Sequence, residues 1–542
     1  MTAASEAAPR GTITRILRKI LIANRGEIAV RVARACRDLG LGSVAVFSDC
    51  DRTARHVRMA DEAVAIGGNA PADSYLHVGR IIDAARATGA DAVHPGYGFL
   101  SENPEFARAC CDAGLTFIGP TPDAVAAVGS KTTARQIAVR AGVPVVRGTD
   151  RPFAGDEPDA AIAAAAERIG YPVLIKAVAG GGGKGMRIVS MAPELPGAVR
   201  LARSEAMTAF GDPAVYLEHC LRHPRHVEVQ ILGDHHGNIC AFVERECSIQ
   251  RRHQKVIEES PSPVVGPAMR EQLANAAIAV ARAAAYTNAG TVEFLLGEDG
   301  HFYFLEVNAR LQVEHPVTEM VAGVDLVHWQ IRIARGEQLT LSSRETLNPL
   351  GHAIECRVYA EDPDAGFMPS PGRILAVRSP AGPGVRDDGW VEEGTQIPIF
   401  YDSLLSKVIA SGSDRPQAIA RMRRALAEYD IRGVRTTLPF SRWLLRRPEF
   451  AEARFHTGFL DDLLQQRSGE PFDELDPSLE EVAAIAACLV EATTAAVPGI
   501  ATGPGAPSSG RPAADRGAVL RTDGETIERG WKALARRESL RG

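Results

Sequence analysis

The segment Thr291-Val-Glu-Phe-Leu-Leu-Gly-Glu-Asp-Gly-His-Phe-Tyr-Phe-Leu-Glu-Val-Asn-Ala-Arg-Leu-Gln-Val-Glu314 carries the pattern on which the rest of the chain hangs. Residues 291–296 and 302–307 flank Gly297-Glu-Asp-Gly-His301 and read as an antiparallel hairpin. Pairing of the two runs about that turn is expected to set Glu293 opposite Glu306. Carboxylates facing each other across a ladder repel, unless a positive charge sits between them. Magnesium takes hard oxygen ligands from one or two carboxylates and leaves its other positions to water and phosphates. Asn308, two residues along the same face, offers a further oxygen, so Glu293, Glu306 and Asn308 are the expected metal ligands. From Glu306 to Glu314 every second residue is polar, and in an extended chain Glu306, Asn308, Arg310, Gln312 and Glu314 would share one face. The simpler reading is a half-buried edge strand with a solvated face. Eight steps of about 3.3 Å span about 26 Å, further than one small reaction centre requires. The strand is therefore expected to end near Asn308 or Arg310 and bend into a loop.

Working outward, Arg18-Lys-Ile-Leu-Ile-Ala23 is an apolar run closed by Asn24-Arg-Gly-Glu27, after which Ile28, Val32 and Ala35 recur at helical spacing. Val44–Phe47 and Ala90–Val93 are further strands, each after a helix-like stretch. Alternating β and α implies a parallel sheet with covered faces. His94-Pro-Gly-Tyr-Gly-Phe-Leu-Ser-Glu-Asn103 follows the last of these strands and places Glu102 at a strand's carboxyl end, where open α/β sheets bind ligands. The alternative is a plain loop with Asn103 capping the next helix. Gly180-Gly-Gly-Gly-Lys-Gly185 lies between two strand-like runs, Pro172–Ala177 and Met186–Val189. It neither ends in Gly-Lys-Ser/Thr nor opens a helix, which argues against a Walker loop or a dinucleotide fingerprint. A mobile flap whose backbone N–H groups fold over phosphates fits better, with Lys176 and Lys184 adding charge. His226–Ile231 alternates as a strand, and the dense polar run Glu244–Glu259 offers Gln250, His253 and Lys255 as donors for phosphate and small anions.

A chain of 542 residues is too long for one compact core and implies roughly three domains. A net charge of −6 argues against a nucleic-acid protein. No apolar run approaches the ~20 residues of a membrane span, and the first nineteen residues lack a secretory apolar segment; a cytoplasmic location is expected. Nine cysteines without a CxxC pair indicate neither a disulfide framework nor a zinc site. Only seven basic residues are lysine, at 19, 131, 176, 184, 255, 407 and 532. Where arginine is the default cation, a retained lysine suggests a place that needs a compact ammonium.

Asn24–Ala29, His94–Asn103, Lys176–Met186, Arg252–Val256, Glu306–Glu319 and Glu355-Cys-Arg-Val-Tyr-Ala-Glu-Asp362 together resemble the signature segments of biotin carboxylase, an ATP-grasp enzyme, in the right order over residues 18–465. The Gly-Lys-Gly-Met variant is similar to acyl-CoA carboxylase α-subunits. The resemblance implies an α/β (α+β) ATP-grasp fold. It divides into an N-terminal tail (1–17), a Rossmann-like N-terminal domain (18–130), an ATP-grasp domain with a mobile glycine-rich flap (131–349), a biotin carboxylase C-terminal domain (350–465), and a terminal part (466–542). It implies ATP contacts from Lys131, Lys176, Gly181, Gly182, Gly183, Lys184, Gly185, Met186, Glu218, His226, Gln250, His253, Glu293 and Glu306, with Mg2+ or Mn2+ on Glu293, Glu306 and Asn308. Arg310, Glu314, Arg357 and Lys255 are the implied catalytic group. Bicarbonate and biotin would meet Lys255, Arg310, Gln312, Val313, Arg357, Tyr97 and Glu102, Glu314 would be the base, and Arg357 would stabilise the enolate-like oxygen of biotin. The assignments of Gln312 and Glu314 rest on the resemblance alone.

No lysine has a methionine beside it, as the biotinylated lysine of a carrier domain would. The implied partners are therefore a separate biotin carboxyl carrier protein and a carboxyltransferase subunit, with a second copy of the chain as homodimer. Pyruvate or urea carboxylation, or another bicarbonate-phosphorylating ATP-grasp ligase, are the alternatives to an acyl-CoA carboxylase. Beyond the resemblance, Asp476-Pro-Ser-Leu-Glu-Glu reads as a capped helix start, Pro498–Gly517 as a linker, and Ile527–Leu540 as a basic segment that docks on a partner or frays.

Overall fold

The computed structural model describes residues 16–178, 186–467, 469–472, 482 and 484–489. The glycine flap from 179 to 185, the linker and the final basic segment lie outside them, as does the start of the helix expected at Pro477; residues 484–489 are helical. The chain divides into two compact units, Met1–Glu474 and Leu475–Gly542. The first carries the sheets and the candidate site.

Its N-terminal part is a five-stranded parallel sheet: β1 (Lys19–Ile22), β2 (Gly42–Ser48), β3 (Glu62–Gly67), β4 (Ala92–His94) and β5 (Thr116–Phe117), in the order β3-β2-β1-β4-β5. Ile20, Leu21, Val44, Val46 and Val93 are fully buried, as a sheet covered on both faces requires. The helix Gly26–Asp38 leaves β1 directly through Asn24-Arg25. The loop after β4 keeps both roles open to it: Asn103 caps the helix Pro104–Asp112 by accepting from Phe106 N, while Glu102 reaches across to Ala309 and Arg310.

A small antiparallel sheet follows, in the order β7-β6-β8, with β6 (Val173–Ala177), β7 (Met186–Val189) and β8 (Val215–His219). Lys176 pairs with Met186, so the glycine run does join two antiparallel strands. A nine-stranded antiparallel sheet completes the unit. It contains β9 (Arg225–Gly233), β10 (Ile239–Ala241), β11 (Arg245–Arg251), β12 (Gln254–Ser260), β13 (Asn288–Leu296), β14 (Phe302–Asn308) and β15 (His352–Tyr359). The order is β14-β13-β9-β11-β12-β15, then the strands Leu404–Gly412 and Val385–Gly389, with β10 on the side of β9. One continuous sheet thus carries strands from chain segments more than 150 residues apart, and its polar face becomes the floor of the site. Among the described residues no helix is long and apolar enough to cross a membrane.

Candidate active site

Glu293 does lie directly opposite Glu306, but through a β-bulge: next to the turn Leu296 pairs with Phe302 and Phe294 with Phe304, and Leu305 is the extra residue that shifts the register by one at Glu293. β14 ends at Asn308, so the alternation beyond it is a loop. The sequence did not reveal a third carboxylate in the row: Glu228 on β9 pairs with Glu293 from the other side. Three acidic residues on adjacent strands repel, and the chain answers with Lys255. Its Nζ lies 2.6 Å from Glu228, 2.9 Å from Glu293 and 2.7 Å from Glu314. Arg245, with no exposed surface, holds Glu228 from behind at 2.5 Å and donates to Gln230, Thr291 and Thr318. Arg357 on β15 bridges Glu314 at 3.0 Å and Glu258 at 2.5 Å.

These pairings set the protonation states. Burial alone would lower the Lys255 ammonium, but the three carboxylates hold it well above the usual lysine value. Burial would raise Glu314 and Glu293; Lys255 and Arg357 keep Glu314 well below the usual carboxylate range, and Lys255 with His226 do so for Glu293. Glu306 shifts upward, through burial and the charge of Glu293, partly offset by Lys131. Glu258, buried behind Arg357, is pushed up to about 7.

A cavity of about 410 Å³ opens over this floor, lined by Lys131, Lys176, Met186, His226, Gln250, His253, Lys255, Glu293, Glu306, Asn308, Arg310, Gln312, Val313 and Arg357. Fourteen of the sequence-derived residues thus meet in one place. A larger space of about 760 Å³ shares Lys176, Met186, His226, Gln250 and His253 and extends between Leu174, Leu221, Leu295 and Leu305, with Glu218 at its edge. Glu218 pairs with Lys176 at 2.5 Å. His253 stands in the two-residue turn between β11 and β12, where Arg252 and His253 take φ of 48° and 66°. Such turns favour Asn-Gly, and accepting bulky residues there aims the imidazole at the cavity.

The loop after β14 is pinned by its neighbours. Arg310 donates to Glu102 at 3.0 Å, to Gln312 at 2.8 Å and to Asn308 at 3.2 Å, and Glu102 also accepts from Ala309 N. Glu314 does not line the cavity; it is fully buried beneath the loop and touches the floor through Lys255 and Arg357. Tyr97 lines an adjoining space of about 470 Å³ that shares Arg310, Val313 and Arg357. Its hydroxyl donates to Glu27, and its backbone is fixed by Asn24, whose side chain donates to the carbonyls of Pro95 and Tyr97. Gly96, at φ 64°, permits this approach, since a Cβ there would come 2.8 Å from Asn24 Nδ2.

The facing carboxylates of Glu293 and Glu306, with Asn308 beside them, form a hard-oxygen donor set suited to magnesium. Asn308 Oδ1 accepts from Arg310, which leaves its second lone pair for a metal. Two other groups bring three ligand atoms within 4.8 Å of one another, His226/Glu228/Glu293 and Glu228/Cys247/Glu314. Both share carboxylates that Lys255 already neutralises. Sequence reasoning missed Glu228, Arg245, Glu258, Glu27 and Lys407. Glu228 had a signal, since His226, Glu228 and Gln230 alternate onto one face; which strand faced it did not.

Comparison with known proteins agrees with this geometry. Residues 16–125 match the biotin carboxylase N-terminal domain, 130–342 the ATP-binding domain of the carbamoyl-phosphate synthase L chain, and 355–462 the biotin carboxylase C-terminal domain. The chain is 52% identical over 444 residues to a pyruvate carboxylase subunit of Methanothermobacter thermautotrophicus, covering 82% of this chain and 89% of that one. It is 50% identical over 447 residues to biotin carboxylase 1 of Bacillus subtilis, covering 82% and 98%. Among solved structures, the biotin carboxylase domain dimer of Hydrogenobacter thermophilus 2-oxoglutarate carboxylase, in complex with MgADP, ADP and bicarbonate, superimposes with a TM-score of 0.80 at 44% identity, covering 85% of this chain and all of that one. A carbamoyl-phosphate-type ATP-binding domain framed by two biotin carboxylase domains, around a floor that joins Lys255, Glu314 and Arg357, has one meaning: the chain belongs to the biotin carboxylase family of ATP-dependent ligases.

Proposed function

We propose that this chain carboxylates N1 of biotin borne on a separate carrier protein, consuming ATP and bicarbonate, as the first half-reaction of an acyl-CoA carboxylase. The observation that carries the reading is the single floor on which Lys255 and Arg357 converge on Glu314, beside the facing pair Glu293 and Glu306. ATP would occupy the larger space, its phosphates meeting Lys131, Lys176 and His253 beneath the glycine flap, with Glu218 holding Lys176. Glu293, Glu306 and Asn308 would hold Mg2+, which when bound offsets the negative charge of the phosphates.

Bicarbonate would sit against Arg310, Gln312 and Val313, with Lys255 at its oxygens. Glu314 would take its proton as a bicarbonate oxygen attacks the γ-phosphorus and ADP leaves, giving carboxyphosphate. In the resting protein Lys255 and Arg357 keep Glu314 a weak base, so bicarbonate drawing the ammonium toward itself would restore basicity as the proton must be taken. Carboxyphosphate would break down to CO2 and phosphate, the phosphate would accept the N1 proton, and N1 would capture CO2. Arg357 would stabilise the developing ureido oxyanion, since guanidinium stays charged when water is excluded. Tyr97 and Glu102 would border biotin and bicarbonate.

The domain boundaries of this reading are 18–130, 131–349 and 350–465, and the assembly is a homodimer serving a carrier and a carboxyltransferase subunit. The Gly-Lys-Gly-Met segment supports an acyl-CoA acceptor. A second reading, a keto-acid carboxylase, is favoured by the names of the pyruvate and 2-oxoglutarate carboxylase relatives. The test is ADP release with ATP, magnesium and bicarbonate, with and without free biotin, for the wild type, Arg357→Ala and Glu314→Ala. Biotin-stimulated release lost in both variants supports the reading; ATP hydrolysis indifferent to biotin refutes it. Assay of the reconstituted assembly with acyl-CoA against pyruvate and 2-oxoglutarate separates the two acceptors.

A further inference from the structure

Lysine is scarce here, and four of the seven belong to segments already assigned. Lys532 lies outside the described residues, and Lys19, the first residue of the central strand of the first sheet, bridges Glu62 and the Thr88 carbonyl. Lys407 remains, and it has no exposed surface. It stands directly opposite Arg357 on the neighbouring strand. Two cations facing across a ladder repel, and a buried ammonium is costly unless paired. A core that needed only packing would carry an apolar side chain there.

The contacts of Lys407 show what the charge does. Its Nζ donates to the Val313 carbonyl at 2.8 Å, pairs with Glu27 at 3.1 Å, and stands 5.9 Å from the centre of the Tyr97 ring, within cation–π range. Glu27 in turn accepts from the Tyr97 hydroxyl. Val313 lies inside the loop that presents Arg310 to the cavity and leads down to Glu314. One ammonium therefore fastens together the helix after β1, the turn after β4, the loop after β14 and the strand beside β15. Its fan of donors meets a carbonyl, a carboxylate and a ring from three directions; the longer planar fork of arginine does not suit that arrangement.

We propose that Lys407 is a positioning residue, which holds the Arg310–Glu314 loop by the Val313 carbonyl and, through Glu27, sets the Tyr97 ring beside it, so that bicarbonate and biotin meet in register. It rests on the functional reading above and adds a residue to it. A misplacement of about 1 Å can cost about 10²-fold in rate, and the loop, not the nucleotide space, bears the loss.

The test compares Lys407→Met and Glu27→Gln with the wild type. Expected for Lys407→Met is a fall of about 10–100-fold in kcat/KM for bicarbonate, with the KM for ATP and the affinity for ADP within about twofold of wild type. Glu27→Gln, which keeps the shape and the acceptor but removes the charge, is expected to move in the same direction by less. Wild-type bicarbonate kinetics in both variants overturns the proposal, as does a loss shared equally by bicarbonate and nucleotide. Should Lys407→Met fail to fold, Glu27→Gln alone decides by the same split. A wild-type protein whose ADP release ignores bicarbonate would sink the functional reading itself, which no outcome in the variants can mimic.

Discussion

Lys255→Met tests whether the ionic floor is held as the structure shows it. The substitution keeps the length of the side chain and removes the one ammonium shared by Glu228, Glu293 and Glu314, at 2.6, 2.9 and 2.7 Å. Glu228 and Glu314 have no exposed surface and Glu293 is 4% exposed, so solvent cannot replace the lost partner. Removing one member of a buried ionic group costs about 3–5 kcal/mol, which for a large cooperative unit, at about 2.1 cal/mol/K of unfolding entropy per residue, corresponds to roughly 3–5 °C in melting temperature. The sign of the pH dependence follows from the shifts. In the wild type Glu293 and Glu314 lie below the usual carboxylate range; their contribution is present above the unfolded value and is lost as pH falls through the folded ones. Without Lys255 the opposition to burial weakens and the carboxylates bind protons more readily. A group with a raised folded value favours the folded state at low pH and loses that contribution as pH rises. The melting-temperature gap between wild type and Lys255→Met is therefore expected to be smaller at about pH 4 than at neutral pH and to widen as pH rises through the ordinary carboxylate range, measured by differential scanning in the same buffers. A gap below about 1 °C that does not change with pH would refute the reasoning.

Glu306→Gln removes one of the two facing carboxylates and is expected to weaken Mn2+ binding, followed by electron paramagnetic resonance, about tenfold or more. Lys176→Met leaves Glu218 facing Arg135 at 3.5 Å and within the field of Lys131; the KM for ATP should rise about tenfold or more while the KM for bicarbonate stays within about twofold, read from initial rates of ADP release. Glu102→Gln loosens Arg310 from the outside, and its expected signature is a higher KM for bicarbonate with an unchanged KM for ATP.

What was legible in the sequence was local. The hairpin itself followed from two matched runs about a five-residue turn, but its exact register did not: that spacing sets Glu293 opposite Leu305, and the observed pair Glu293–Glu306 depends on a one-residue β-bulge between Glu293 and Phe294. The parallel order of the first sheet followed from alternating apolar runs and helical spacing. The end of β14 at Asn308 followed from a distance argument. The rest required knowing which strands become neighbours. Glu228 lies 65 residues before Glu293, yet faces it across a ladder. Glu258 faces Glu355 from nearly 100 residues away, and Lys407 faces Arg357 from 50. Periodicity gives the face of a strand and is silent on its partner, so a repulsive row was predicted with two members when it has three. It was assigned to a metal alone, although Lys255 and His226 neutralise much of it.

That neutralisation explains why so many charges are buried here. As a means of holding a fold together, buried ion pairs break even at best against apolar packing, and this floor gathers Glu228, Glu293, Glu314, Lys255, Arg245 and Arg357 in one place. The gain would be preorganisation: most of the donors are held in place before charge develops, and the shared ammonium alone would have to shift. Fixing them takes anchors on more than one element, which is why Arg310 is tied to Glu102 from the first sheet and Arg357 to Glu258 from β12. An ammonium shared by three carboxylates is also poised to be exchanged, because an arriving anion has only to compete with one of them. The residues that stabilise the resting protein are thus the ones whose rearrangement a bound anion can drive, and the hairpin supplies that arrangement with its register, its end and the loop that follows.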